Sequence, residues 1–260
     1  MRARIAEAAM YETKERPADG YRFIPAVFQY SAGVAALPGF RIERVRFADP
    51  VPLAAGFARI AAYLQALGRP LTAFCACELR SPGQFTEAGF RQFNLGYAKV
   101  LGEWGIMEGS VNPVARSNVC PELAPPAEPG FHAFSYTVPE AGAGPSFVNA
   151  GSGESTEGKG SYSEQTIALG DLSPAGMLRK AQFVLGEMER RMAALGGGWA
   201  SATGVQIYTV HDIHPFLGEE LVRRGAARHG VTWHYCRPPV ISLEYEMDVR
   251  GVAVERVIPA

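Results

Sequence analysis

The sequence predicts an α/β (α+β) fold built from two tandem β-β-α-β-α-β-β repeats. Three observations lead there. Stretches with strand-like alternation and stretches with helical periodicity follow one another along nearly the whole chain. The order of these elements is the same in both halves. Leu67-Gly68 closes one long helix and Leu195-Gly196 closes its counterpart about half a chain length later, while Phe93 and Phe216 sit early in the second helix of each half. Self-similarity of this kind marks an internal repeat.

Residues 1–20 read as an N-terminal arm, helical at Ala3–Met10, after which the first repeat spans 21–140 and the second 145–260. Phe23–Phe47 reads as two or three strands, rich in β-branched and aromatic residues, with a turn at Pro38-Gly39. In 52–67, Leu53, Phe57, Ile60, Ala61, Leu64 and Leu67 fall on one helical face, and Gly68 and Pro70 stop the helix. Leu71–Leu79 reads as a buried strand. Residues 86–104 form a second helix starting near Thr86, with Phe90, Phe93, Tyr97, Val100, Leu101 and Trp104 at three- and four-residue spacing. Two strands follow, over 116–123 and 131–138. In the second half the strand Ser146–Gly151 leads into a Gly/Ser-rich loop over 151–163. A helix follows at Pro174–Leu195, then a strand at Ala202–Val210, a helix at Pro215–Arg224 and closing strands over 231–237 and 240–249.

The chain has 260 residues, 47% hydrophobic and 20% charged, with a formal net charge of −1. That balance offers no footprint for nucleic acid or anionic lipid, so an anionic substrate needs a local arginine. No apolar run reaches the length of a membrane span. The N-terminus shows no apolar signal segment, and Cys75, Cys77, Cys120 and Cys236 form no CxxC pair. A cytoplasmic protein with free, buried thiols is the expectation.

Several short motifs carry a resemblance. Ala115-Arg116-Ser117-Asn118-Val119 resembles the Pro-Ala-Arg-Ser-x-Val stretch of the Rid/YjgF family of imine deaminases. Asn94-Leu95-Gly96-Tyr97 resembles that family's Asn-x-x-Tyr helix. Leu243-Glu244-Tyr245-Glu246 resembles its closing Val-Glu-Ile-Glu strand, and Val148-Asn149-Ala150-Gly151 is a looser match to its Val-Ser-Gly turn. The resemblance covers about 21–260. It implies chorismate-mutase-like repeats with mixed sheets and helices on one face, subunits around a threefold axis, and hence a homotrimer. It also implies hydrolysis of an imine or enamine carboxylate, a 2-imino acid or a 2-aminomuconate-type compound, to an oxo acid and ammonia, with no cofactor and no metal. The departures are specific. The first half offers His132-Ala133-Phe134-Ser135 where a closing-strand glutamate belongs. The second has His229, beside Arg228, at the anion-binding position, and Phe216-Leu217-Gly218-Glu219 in place of Asn-x-x-Tyr.

Imine hydrolysis needs a carboxylate anchor, a proton-transfer group and fixed orientation. Arg116 is the candidate anchor, because a guanidinium stays charged and pairs bidentately with carboxylate. Asn118 lies on the same strand face and offers a second donor. Glu244 is the candidate water-positioning and proton-transfer group, with Glu246 expected on its face; the same alternation also fits a half-exposed strand. Asn94, Tyr97 and Gly151 complete the expected binding set, Tyr97 also suiting the core. Two rival readings remain: a chorismatase-like hydrolase, which would need further cations such as Arg228 and Arg237, and a non-catalytic metabolite-binding module.

Two other signals are weak. Gly153–Gly160 nearly matches a P-loop but has glycine where Ser or Thr should bind Mg²⁺, and no helix starts directly after Lys159, so it reads as a loop over a cleft. His211-Asp212-Ile213-His214 suggests metal ligands but lacks a third and fourth partner.

Overall fold

The computed structural model describes residues 11–156 and 160–260. The helix expected at Ala3–Met10 lies outside the described residues. The fold is mixed α/β, with two mixed sheets and few helices. In chain order the strands are β1 (Lys14–Arg16), β2 (Tyr21–Ile24), β3 (Gly33–Ala36), β4 (Phe40–Pro52), β5 (Phe74–Arg80), β6 (Ala115–Pro121), β7 (Gly130–Pro139), β8 (Phe147–Gly153), β9 (Gly204–Tyr208), β10 (Thr232–His234), β11 (Cys236–Arg237), β12 (Glu246–Gly251) and β13 (Val254–Ile258). The helices are α1 (Leu53–Ala66), α2 (Glu87–Glu103), the short α3 (Tyr162–Gln165), α4 (Pro174–Ala194) and the single turn α5 (His214–Phe216).

One sheet has the order β1-β2-β3-β8-β12-β9-β10 and the other β11-β6-β5-β7-β4-β13. The sheets do not follow the order of the chain. The N-terminal strands β1–β3 extend the sheet of the later strands through β3–β8, and β11 and β13 return to flank the earlier ones.

Helices cover the outer faces. Phe57, Ile60 and Leu64 of α1 and Tyr97 and Leu101 of α2 pack on Phe47, Phe74, Leu79, Phe131 and Phe134. Met177, Val184, Leu185 and Met188 of α4 pack on Val205, Ile207, Met247 and Val249. The two longest helices, α2 and α4, begin at a hydroxyl cap: Thr86 Oγ1 accepts from Gly89 N, and Ser173 Oγ accepts from Gly176 N just ahead of Pro174. Between the inner faces lies a third core with Phe23, Val34, Ile42, Ala115 and Ala150.

Beside it runs a buried polar layer. Arg44 donates to both oxygens of Glu78 at 2.6 and 3.0 Å, and Gln206 Nε2 links Glu78 to Asp248. Burial alone would raise the Glu78 carboxyl, but Arg44 holds it well below the usual carboxylate range. Ser117 Oγ donates to Asp248 Oδ2 at 2.6 Å, tying β6 of one sheet to β12 of the other.

Several expectations change in detail. The helix expected over 215–224 is the turn α5 followed by a π-helical turn, Leu217–Val222. Phe216 and Leu221 are both buried in one core and stand five residues apart, a spacing that the wider turn brings onto one side. The strand expected over 231–237 divides into β10 and β11, which belong to different sheets, with exposed Tyr235 at the crossing. The strand expected over 240–249 begins only at Glu246. Ahead of it, Gln84 Nε2 donates to the carbonyls of Pro238, Val240 and Leu243, and Glu154 accepts from the backbone of Glu244 and Tyr245. Side chains thus take the backbone partners that a neighbouring strand would have supplied. Strands β1 and β13 are found where the sequence reading placed none.

Candidate active site

The register of β6 on β5 sets Arg116 beside Cys77 and points its side chain at α2. Arg116 is 3% exposed. Its guanidinium carbon lies 4.9 Å from the ring centre of Tyr97, 5.4 Å from Tyr30, 5.7 Å from Phe90 and 5.9 Å from Phe93. Three of these rings come from one face of α2, at the helical spacing that otherwise marks core. Aromatic faces attract the cation, by about 2 kcal/mol or more each in a desolvated setting, but provide no oxygen acceptor. Nε and Nη1 of Arg116 are buried without a hydrogen-bond partner. A buried guanidinium with unused donors is a prepared anion site.

Asn118 adds to it. Ser81 Oγ donates to Asn118 Oδ1 at 2.9 Å, and the amide nitrogen is buried without a partner. Arg116 and Asn118 line one cleft with Gly151, Gly153, Ser155 and Glu246. The opposing wall comes from β8 and β12, which the Ser117–Asp248 hydrogen bond holds against β6. Gly151 is required here: a Cβ at that position would lie 2.2 Å from Glu246 Oε1 and 3.1 Å from Ser117 Cα. The missing side chain is what admits the Glu246 carboxylate. Pro239 and Leu243, on the segment fastened by Gln84, close another side.

The remaining expected residues take other places. Glu244 precedes β12 rather than lying in it and does not line the cleft. Its Oε2 is 2.8 Å from His211 Nε2 and accepts from Arg237 Nη1 at 3.4 Å. Glu244 and Glu246 thus do not share a face, because the chain turns from irregular backbone into strand between them. Asn94 is wholly buried and donates to the carbonyl of Phe90 within α2. Tyr97 contributes its ring to Arg116, while its hydroxyl lies 3.3 Å from Cys77 Sγ. Burial raises the Tyr97 phenol well above its usual value and pushes the Cys77 thiol up to about 12, so both stay protonated. Cys120 is likewise pushed up to about 12 by burial. None of these thiols is a poised nucleophile.

The weak signals resolve structurally. His211 pairs with Glu244, and His214 Nδ1 lies 2.6 Å from Asp212 Oδ1. Among the described residues no group of three or more His, Cys, Asp or Glu is placed to hold a metal, and no helix is long and apolar enough to cross a membrane. In the P-loop-like stretch, Glu154 is fully buried, bound to Lys180 Nζ at 3.1 Å and to two backbone amides. The extra cations weighed for a chorismatase-like site are engaged elsewhere: Arg237 by Glu122 and Glu244, Arg228 by the carbonyl of Ala200.

Sequence reasoning missed the aromatic box, Ser81, and that Glu246 rather than Glu244 lines the cleft. The box had a signal, the aromatic stripe of α2, which reads equally well as core. Ser81 had none.

Comparison with known proteins places the chain in a family. The chain is 54% identical over 241 residues to a 2-amino-5-chloromuconate deaminase of Comamonas testosteroni, covering 92% of this chain and 96% of that protein. The family model of 2-aminomuconate deaminase CnbZ matches residues 13–256. A buried, donor-rich arginine facing a glutamate across a glycine-floored cleft is therefore met in a chain that belongs to the 2-aminomuconate deaminase CnbZ family.

Proposed function

We propose that this enzyme, which acts on C–N bonds, is a hydrolytic deaminase of a 2-aminomuconate-type substrate. The observation that carries the proposal is the cleft of Arg116, Asn118 and Glu246. The unused donors of Arg116 and Asn118 hold the carboxylate next to the amino-bearing carbon. The enamine tautomerises to an imine by taking a proton at carbon and losing one from nitrogen. Glu246 takes a proton from water as the water oxygen bonds to the imine carbon, and passes that proton to the nitrogen, giving the carbinolamine. The hydroxyl proton then moves through Glu246 to the nitrogen as C=O forms and the C–N bond breaks, which leaves an oxo acid and ammonia that takes a proton from solvent to become ammonium. Glu246, rather than Glu244, has the place for this work because it faces Arg116 across the cleft. Preorganisation makes the attack effectively unimolecular, and a positioned carboxylate supplies typically 10²–10⁴-fold.

Support for the chemistry comes from the names of the family and of the relative, and from the Rid/YjgF-like stretch around Arg116. The same reading takes the chain as a doubled Rid/YjgF-type unit assembled as a homotrimer in the cytoplasm. A native mass of one chain would overturn the trimer. The deaminase test is ammonia release from 2-aminomuconate by the wild-type chain and by Arg116→Ala. Release that the variant loses by two orders of magnitude or more is expected. Wild-type release no faster than buffer would end the proposal.

A further inference from the structure

The Arg116 cleft is too small for a six-carbon diacid. Its volume is about 30 Å³, room for one or two waters on the usual measure. At most it takes the near carboxylate, and the rest of the substrate must lie elsewhere. A second chamber adjoins it, sharing Tyr30, Ser155 and Tyr162 as a common wall. Its volume is about 190 Å³, more than the ~150 Å³ that holds a benzene ring.

The chemistry of the chamber is one-sided. Its polar lining is Gln29, Tyr30, Ser155, Thr156, Ser161 and Tyr162. These are hydroxyls and one amide, all able to donate a hydrogen bond. Among the described residues no carboxylate lines it, so none of them repels an anion. Ser155 and Tyr162 are held in place by elements on either side: the Ser155 backbone bridges to Thr166, and Tyr162 N donates to Glu87 of α2. The chamber wall is thus fastened to the same helix that supplies the rings around Arg116.

Resting on the deaminase reading, we infer that this chamber is a second-carboxylate subsite, in which Ser155 and Tyr162 receive the far carboxylate of a dienedioate while Arg116 and Asn118 hold the near one. The enzyme thereby selects unsaturated diacids over monoacids of equal length. Neutral donors suit the role. A second buried cation would hold a dianionic product too tightly, whereas hydroxyls recognise the carboxylate and release it.

The test uses two stable diene probes of equal length that lack the amino group. Muconate carries two carboxylates and sorbate one. Calorimetric affinities are measured for wild type, Ser155→Ala and Tyr162→Phe. Wild type is expected to bind muconate at least tenfold more tightly than sorbate. Each variant is expected to reduce that preference several-fold. Equal wild-type affinities, or a preference that both variants leave intact, would overturn the subsite. Ammonia release from 2-aminomuconate is followed in parallel on the same wild-type preparation. Release with no muconate preference removes the subsite and keeps the deaminase. Muconate preference without release keeps the diacid subsite and removes the reaction.

Discussion

Ser81 and Asn118 meet at 2.9 Å beneath the cleft, the serine hydroxyl donating to the amide oxygen. Both are buried. The bond determines which end of the amide is free: with Oδ1 occupied, the nitrogen is the group left without a partner. Ser81→Ala releases that orientation. One hydrogen bond is worth about 1 kcal/mol, roughly fivefold in an equilibrium. A rise in KM of that size is expected, with kcat changed less than twofold and the melting temperature nearly unchanged. A fall in kcat at constant KM would show that Ser81 does not act through substrate binding.

Gly151→Ala places a methyl where Glu246 Oε1 now lies. The carboxylate must move, because Ser117 Cα limits retreat on the other side. Overpacking of this kind costs about 1–3 kcal/mol of stability, and a displaced reacting group costs on the order of 10²-fold in rate. Steady-state ammonia release and thermal melting on one preparation check both. Full activity in Gly151→Ala would remove Glu246 from the chemistry.

Glu246→Gln keeps the shape of the side chain and removes its capacity to accept a proton. A kcat loss of about 10²–10⁴-fold is expected. Glu244→Gln, which changes a group bonded to His211 and Arg237 outside the cleft, is expected to lose tenfold or less. Reversal of that order would return the proton-transfer role to Glu244.

The pair Lys180–Glu154 is wholly buried. Its carboxylate also accepts from the backbone of Glu244 and Tyr245, which sets the path of the chain into β12. Glu154→Gln leaves the ammonium buried without its counter-ion, and breaking such a pair costs about 3–5 kcal/mol. Urea denaturation of the variant checks this. A midpoint equal to that of wild type would show that the pair is replaceable.

Two part-buried histidines make stability depend on pH. Burial, aided by Arg80, lowers His132 from 6.5 to about 3 and His234 to about 4. The unfolded chain therefore takes up these protons below pH 6.5 while the folded chain does not, so stability is complete above that pH and declines as pH falls. At about 1.4 kcal/mol per unit for each group, a loss on the order of 2–4 kcal/mol is expected between pH 7.5 and 5. His132→Gln should reduce the slope by about half. A denaturation midpoint constant over that range would contradict the burial of both rings.

The local elements were legible because local physics fixes them. The stripe Phe57, Ile60, Leu64 has helical periodicity, and Thr86 marks where α2 starts. Arg116 stood out by its motif and Asn118 by its alternation with Arg116. The division of 231–237 between two sheets was not legible, since β10 and β11 differ only in which edge strand each finds. Nor was the late start of β12, because the groups that hold 240–245 out of the sheet are Gln84 and Glu154, each about 90 residues or more away in sequence.

The sequence by itself determined the α/β class, the long helices, most strand positions, and an arginine with the chemistry to hold a carboxylate. Periodicity, capping and residue type are properties of neighbours along the chain. Only the tertiary structure decided that Glu246 and not Glu244 faces Arg116, that the aromatic stripe of α2 also surrounds a cation, and that Gly151 makes room for a carboxylate. Each of these depends on β6 lying against β8 and β12, a contact between opposite halves of the chain that no local pattern encodes.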